Sequence, residues 1–278
     1  MAYENFKPTV WAKSIERERD NLCIGAKLSN RDYEANALEY GKNITINWTR
    51  RPVVKNYVPG TAIATPETLE SNSSTIALDK MKYVNFMVDD VDELQSSPNI
   101  MQSCMKEAAG ALADDLDKCI YNLYTGGGSV INTHAVNSKN MVQIVSDAAN
   151  MLYSNNVPMN EELSLEVSPA IYQKLWLAKV LRQTPNDKVF GNGFVGMFDN
   201  FKVYMTNNIV KDETTTDDYC FARTSKAIAV VAQMQKMEAY RPQGSFADAV
   251  KGLHVYGAAV VRPKELVVLK IKAAAEPA

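Results

Sequence analysis

Histidine is nearly absent from this sequence, since His134 and His254 are the two in 278 residues. This scarcity leaves little room for a histidine-based metal site or for histidine acid–base catalysis. Apolar runs fall short of the roughly 20 residues that span a membrane, and residues 1–10 lack the apolar core of a signal peptide. We therefore expect neither a membrane partner nor secretion.

Cysteine is also sparse, and no two of the four cysteines have the spacing of a zinc-binding or redox pair. We expect them to be reduced and mostly buried. Lys and Arg number 30 against 32 Asp and Glu, so the net charge is −2. A dedicated nucleic-acid binder derives its affinity largely from a basic surface, and this balance argues against that class.

No motif predicts a cofactor, a metal ion or an enzyme. Gly191–Gly196 matches G-x-G-x-x-G, but a dinucleotide site needs a helix after it, and a strand around Val203 is predicted instead. The acidic run Asp89–Glu93 could hold a hard cation, although it lacks the glycine and ligand spacing of a calcium loop. His134 is expected in a polar loop. A pair of carboxylates brought together only by folding stays an open alternative.

Residues 41–74 have the character of an extended ribbon. Ile44, Ile46 and Trp48 alternate with polar residues, which predicts a strand, and Pro59-Gly60 predicts a turn. Few large apolar residues follow up to Ser74, so the ribbon offers little core of its own. Two interpretations remain, a long mobile loop and a projecting arm that is stable only when laid on a neighbouring molecule.

The remainder of the chain predicts strands, then helices, then strands again. A strand over 75–91 precedes the strongest helix, capped by Ser97 and ended by Thr125–Gly128. A second helix is predicted with Ser138 as its cap. Further predicted elements are a strand at 163–167, a helix after Ser168, and strands at 201–205, 227–232, 253–259 and 266–271. This order predicts an α+β fold with an inserted mixed α/β lobe from about 135 to 240.

The order of these elements and several short phrases resemble the major capsid proteins of tailed bacteriophages. That fold is shared with encapsulins and herpesvirus capsid floors. The phrases are Phe6–Trp11, Leu28–Tyr33, Gly41–Asn47, Tyr57–Gly60, Leu78–Gln95 and Lys202–Asn207.

The resemblance implies a division of the chain and a function. Residues 1–41 would be an N-terminal arm and 42–74 an extended β-hairpin loop. Residues 75–134 and 241–278 would form a peripheral domain with a long spine helix, and 135–240 an axial mixed α/β domain. The implied function is a non-enzymatic shell subunit that self-assembles into an icosahedral container for phage double-stranded DNA. The alternative is the shell protein of an encapsulin-like nanocompartment.

The implied partners are many copies of the chain, as pentamers and hexamers, and packaged double-stranded DNA without sequence-specific contact. The chain has no room for the N-terminal scaffold-like region of some relatives, so a separate scaffolding protein and a portal are expected. The implied location is the virion, assembled in the bacterial host cytoplasm.

The candidate interface residues lie on the extended loop: Trp48, Arg50, Arg51, Lys55, Tyr57 and Val58. Aromatic side chains often dominate interface energies, and the arginines could pair with Asp114 and Asp115 of a neighbour. Lys55 lies where some relatives crosslink a lysine, but no motif here supports that reaction.

Overall fold

The computed structural model describes residues 23–34, 43–49, 52–57, 59–60, 62, 65, 68, 71–89, 100–178, 193–198, 200–244 and 246–276. Its strands are β1 (Asn43–Thr49), β2 (Ser71–Ala77), β3 (Lys80–Asp89), β4 (Ser129–Val136), β5 (Leu163–Val167), β6 (Phe194–Phe198), β7 (Phe201–Met205), β8 (Asp218–Thr224), β9 (Ile228–Tyr240), β10 (Ala247–Val260) and β11 (Leu266–Ala273). Its helices are α1 (Ile100–Tyr121), α2 (Ser138–Ser154) and α3 (Pro169–Leu177). None of these helices is long and apolar enough to span a membrane.

A six-stranded mixed sheet in the order β4-β11-β8-β5-β7-β6 forms the larger half of the core. All five residues of β5 are buried, as the predicted strand at 163–167 requires. Helix α2 contributes a buried stripe at helical spacing, which includes Met141, Val145 and Leu152. Ser168 caps α3 by accepting a hydrogen bond from the backbone N–H of Ile171, which confirms the predicted helix start.

A three-stranded antiparallel sheet in the order β3-β10-β9 forms the smaller half, and α1 packs on one of its faces. Met105, Ala109 and Leu112 of α1 are buried against Met237 and Val250 of the sheet. The long helix is thus confirmed over Ile100–Tyr121, where its α-helical part ends before a 3₁₀ turn over Asn122–Gly126. Its predicted cap, Ser97, lies outside the described residues.

The ribbon has a packed root, which buries its apolar side chains against the three-stranded sheet and not in a core of its own. Strands β1 and β2 pair in antiparallel register from Asn43 opposite Ala77 to Thr49 opposite Ser71. Ile44, Ile46 and Ile76 are buried in one cluster with residues of β9 and β10. The single strand predicted over 75–91 is divided, because β2 ends at Ala77 and β3 begins at Lys80.

Local capping also differs from the prediction. Asn137, rather than Ser138, caps α2, because its side-chain oxygen accepts hydrogen bonds from the backbone N–H groups of Lys139 and Asn140. Asn140 returns a bond to the N–H of Asn137, which completes a capping box. Ser138 is thereby free to contact Glu276.

Part of the glycine motif, His134 and the four cysteines lie within the described residues. Strands β6 and β7 follow Gly193, so no dinucleotide-type helix opens after the glycine motif in the described residues 193–198 and 200–205. His134 lies in strand β4, so its predicted position in a polar loop is wrong. Cys23, Cys119 and Cys220 are buried, as predicted.

Each of the two larger sheets contains strands from both predicted domains. Strand β9 pairs with β10 in the three-stranded sheet, although it precedes residue 241. Strands β4 and β11 pair in the six-stranded sheet, although they lie in 75–134 and 241–278. The division into peripheral and axial domains stays a prediction.

Candidate assembly surface

Strand β3 carries a row of exposed apolar side chains on the sheet face that points away from α1. Val84 and Phe86 pack towards α1, so side chains of the opposite parity project from the other face. Met81, Tyr83 and Met87 have this parity and are 52%, 77% and 66% exposed. We name these three residues the outer row. Apolar side chains clustered on one exposed face are typical of an interaction surface.

A shallow groove of about 320 Å³ lies beside the outer row, between Tyr83 and Glu238, with Gly252 and Leu253 in its lining. The groove has one ionic edge, because Nζ of Lys251 lies 2.7 Å from Oε2 of Glu238. This contact raises the pKa of Lys251, so the ammonium stays charged.

Tyr240 holds the charged edge of the groove in place. Nζ of Lys251 lies 5.2 Å from the centre of the Tyr240 ring, within the range of a cation–π contact. The Tyr240 hydroxyl donates a hydrogen bond to Oδ1 of Asn85 on β3, at 3.3 Å. The groove therefore combines apolar contact area with a fixed polar rim, the usual composition of a protein interface.

The second exposed apolar surface is the ribbon tip, which we define as residues 52–57. Every residue of this segment is exposed, and Val53, Val54 and Tyr57 are 59%, 95% and 66% exposed. Lys55 is exposed beside them. Pro59 and Gly60 form the predicted turn, where Gly60 adopts φ = 88°, a conformation that favours glycine.

The structure places only part of the predicted interface set. Lys55 and Tyr57 lie exposed on the ribbon tip. The backbone of Trp48 lies in β1 opposite Asn72, and its side chain is outside the described part of the structure. Arg50, Arg51 and Val58 lie outside the described residues.

The two aspartates expected to receive the arginines already have contacts within the subunit. Oδ1 of Asp114 accepts a hydrogen bond from Asn208 at 3.1 Å. Asp115 accepts a hydrogen bond from the hydroxyl of Tyr256, and its Oδ1 lies 3.8 Å from Nζ of Lys82. Asp114 is the more exposed of the two and is the better placed for a second partner.

The outer row was missed in the sequence because β3 is apolar on both faces. Val84, Phe86 and Val88 share one parity, which predicts one buried face. Met81, Tyr83 and Met87 share the other parity, and this second apolar set was the available signal. A strand that is apolar on both faces is usually covered on both sides, whereas the described residues cover only the face of β3 towards α1.

An Asp–His pair is the arrangement closest to catalytic chemistry among the described residues. Nδ1 of His134 lies 2.9 Å from Oδ2 of the buried Asp217, which also accepts a hydrogen bond from Thr215. Cys220 is fully buried, and burial raises the pKa of its thiol well above the usual value. Within the described ranges, no three His, Cys, Asp or Glu side chains are grouped to hold a metal ion.

Comparison with known proteins gives a fold match along nearly the whole chain. No protein-family model and no curated protein sequence matches it. A chain from Mycobacterium phage Che8 is 27% identical with a TM-score of 0.72, and the match covers 89% of this chain and 90% of that one. A capsid chain of cyanophage P-SCSP1u is 18% identical with a TM-score of 0.66, over 84% and 85%. The virus-like particle from Pyrococcus furiosus is 14% identical with a TM-score of 0.60, over 94% and 98%.

These matches and the element order lead to the same assignment. Each of these three matches covers at least 84% of both chains. The resemblance drawn from the sequence is therefore confirmed. The chain has the fold of the major capsid proteins of tailed bacteriophages.

Proposed function

We propose that this chain is the major capsid protein of a tailed bacteriophage and that it self-assembles into an icosahedral shell around double-stranded DNA. The observation that carries this function is the match to phage capsid chains over nearly the full length. The ribbon tip and the outer row support it, because both are apolar surfaces that a single copy leaves exposed. Many such contacts, each modest, sum to a stable shell by multivalency.

In this function the ribbon tip lies on a neighbouring copy. Val54 and Tyr57 would supply apolar contact area, and Lys55 a charge for the rim of the interface. Trp48, Arg50, Arg51 and Val58 extend the same proposed contact surface on either side. The packed root at Ile44, Ile46 and Ile76 would hold the tip at a defined position relative to the three-stranded sheet.

The remaining partners follow from the same function. Copies would gather as pentamers and hexamers, with a separate scaffolding protein and a portal during assembly in the bacterial host cytoplasm. The net charge of −2 suits a container that encloses DNA without sequence-specific contact, since it offers no excess of phosphate-binding charge.

An encapsulin-like compartment is the second candidate, and the likeness to the virus-like particle from Pyrococcus furiosus favours it. The contents of purified particles separate the two functions. Nuclease-protected DNA supports the phage capsid, whereas a co-purifying cargo protein without DNA supports the compartment.

The structure defines a deletion that tests assembly without removing any residue of the described core. Thr49 and Ser71 are the last paired residues of the ribbon, so residues 50–70 can be replaced by Asn-Gly, which suits a two-residue hairpin turn. This variant keeps Ile44, Ile46 and Ile76. We expect it to unfold at nearly the same temperature as the intact subunit and to form no shells in electron micrographs.

The control is a single substitution in an exposed loop elsewhere on the surface. In the polar loop 211–217, the exposed Glu213 can be changed to Gln without touching the ribbon. This variant should assemble normally. Shells of normal size and yield from the shortened ribbon would contradict the proposed role of the tip, and particles from neither the variants nor the intact chain, with host extract supplied, would contradict the capsid function.

A further inference from the structure

The turn formed by residues 24–29 is held between two buried side chains of opposite charge. Asp117 of α1 lies on one side of the turn, and Arg223 of β8 lies on the other. Both side chains are at least 98% buried. We call this arrangement the turn clamp.

The acidic side of the turn clamp holds backbone N–H groups. Oδ2 of Asp117 accepts a hydrogen bond from the N–H of Ile24 at 2.9 Å, and Oδ1 accepts one from the N–H of Ala26 at 3.3 Å. Gly25 allows this close approach, because a Cβ atom there would lie 3.2 Å from Oδ1 of Asp117.

The basic side of the turn clamp holds oxygen atoms of the same turn. Arg223 donates to the carbonyl oxygens of Gly25 and Leu28 at 3.1 and 3.2 Å, and to the hydroxyl of Ser29 at 2.9 Å. The Nε group of Arg223 donates to Oε1 of the buried Glu166 at 2.6 Å. The N–H donors of the turn thus bond to the negative Asp117, and its oxygen acceptors bond to the positive Arg223. Hydrogen bonds of this kind, with one ionised partner, are stronger than those between neutral groups.

The charges that the structure describes around Asp117 do not balance. Glu166 of β5 and Asp117 are both carboxylates, and Arg223, whose Nε lies 2.6 Å from Oε1 of Glu166, is the cation among these described groups. Tyr121, one helical turn after Asp117, adds a buried hydroxyl and no positive charge. Lys27 of the turn is exposed. Burial raises the pKa of Asp117 to about 6, and the nearby Glu166 adds to the rise, while the N–H groups of Ile24 and Ala26 oppose it.

We propose that the turn clamp is a pH-sensitive joint, which holds turn 24–29 more firmly in mild acid and lets it open more readily at neutral pH. A carboxylate that is buried beside another carboxylate is relieved of an unfavourable charge when the turn opens and water enters. Protonation of the Asp117 carboxyl removes this unfavourable charge, so opening no longer gains free energy from hydrating it. The joint would set how firmly residues 24–29 are held against α1 and β8, which goes beyond the proposed shell function and does not depend on it.

The direction of the effect follows from linkage. The closed form binds a proton with a pKa of about 6, and an opened, hydrated Asp would have its ordinary value of 3.8. Closed molecules therefore gain protons as the pH falls from 7.5 to 5, and the equilibrium constant for opening falls by about tenfold. Below about pH 4 the opened form also protonates, and the effect levels off.

Hydrogen exchange of the unassembled subunit tests this inference. The probe is the peptide covering residues 23–30, measured at pH 7.5 and 5 and corrected for the intrinsic pH dependence of exchange. We expect about tenfold less opening at pH 5. Asp117→Asn should remove the pH dependence, and Asp114→Asn, an exposed position on the same helix, should retain it. Equal opening of the original chain at both pH values, or an unchanged pH dependence in Asp117→Asn, would overturn the proposal.

A second variant keeps the test decisive if Asp117→Asn does not fold. Ser29→Ala removes one contact of Arg223 and leaves Asp117 intact. Opening should then increase at both pH values, while the tenfold ratio between them persists. Loss of that ratio in Ser29→Ala would contradict the assignment of the pH dependence to Asp117.

Discussion

Nζ of Lys174 lies 2.7 Å from Oε1 of Glu276, so the last described residue of the chain is tied to helix α3. The other carboxylate oxygen of Glu276 accepts hydrogen bonds from the hydroxyl and the backbone N–H of Ser138, at 2.6 and 3.1 Å. A single carboxylate therefore joins the C-terminal tail to two helices. Its position at the first turn of α2 also suits the positive end of the helix dipole.

This tie should make stability depend on pH in the acid range. Lys174, followed by Ser138, lowers the pKa of Glu276 from an ordinary 4.5 to about 2. The stabilisation is complete above about pH 4.5 and is lost as the pH falls towards 2. At pH 7, Glu276→Gln should have a lower thermal midpoint than the original chain. At pH 2.5 the midpoints of the two proteins should lie close together. Glu213→Gln is the control, and a midpoint gap that is equal at both pH values would contradict the tie.

Removal of Arg223 should be strongly destabilising, because it leaves Glu166 buried without a cation. Loss of one partner from a buried ion pair costs about 3–5 kcal/mol in the free energy of unfolding. Urea denaturation of Arg223→Met measures this cost.

Two comparison variants separate the ion pair from general packing. Glu166→Leu combined with Arg223→Met should cost less than the sum of the two single changes, since no charge remains unpaired. Arg262→Met, which removes an exposed pair with Glu265, should change stability by less than about 1 kcal/mol. Strict additivity in the first comparison would contradict the argument.

The contact between the ribbon root and strand β10 depends on Gly257. A Cβ atom at this position would lie 2.1 Å from the carbonyl oxygen of Ala77, a backbone atom that cannot turn aside. Gly257→Ala should therefore destabilise the subunit by about 1–3 kcal/mol, as overpacking does. Gly244→Ala is the matched control, because among the described residues no atom beyond its chain neighbours lies within 4 Å of its added Cβ. Chemical denaturation of both variants decides the point, and equal stability would contradict it.

The outer row can be tested for assembly separately from folding. Tyr83 is 77% exposed, so Tyr83→Ser should change the unfolding free energy of the free subunit by about 0.5 kcal/mol or less. Shell yield should fall, because an aromatic residue at the centre of an interface often contributes more than 1 kcal/mol to each contact. Tyr83→Phe keeps the ring and should assemble. Sedimentation of assembled against free protein measures the yield, and normal yield from Tyr83→Ser would place the interface elsewhere.

Short-range patterns predicted most of the elements correctly. The alternation of Ile44 and Ile46, the helical spacing from Met105 to Leu116, and the Ser168-Pro169 helix start each depend on neighbours in sequence, and each is confirmed. Asn137 was missed as a cap because the adjacent Ser138 has an equally suitable side chain, and only the capping box with Asn140 selects between them.

Long-range pairing explains what the sequence could not predict. The turn clamp joins residues about 90 and nearly 200 positions apart, Ile24 with Asp117 and Gly25 with Arg223. No local pattern marks such a site. The packed ribbon root was missed for the same reason, since Ile76 and Val255 belong to one buried cluster although they are far apart in the sequence. The proposed contacts of Tyr57 and Lys55 depend on another copy and stay predictions.

The ribbon root has a mechanical consequence. Strand β10, on which the root packs, is the central strand of its sheet and is hydrogen-bonded to β3 on one side and to β9 on the other. A pull on the ribbon tip would load the seven residue pairs of β1 and β2 and then pass into this central strand. The ribbon would thus turn about the close contact between Gly257 and Ala77. Traction from one neighbour would be spread across the whole sheet and the long helix behind it, and no edge strand would bear it alone.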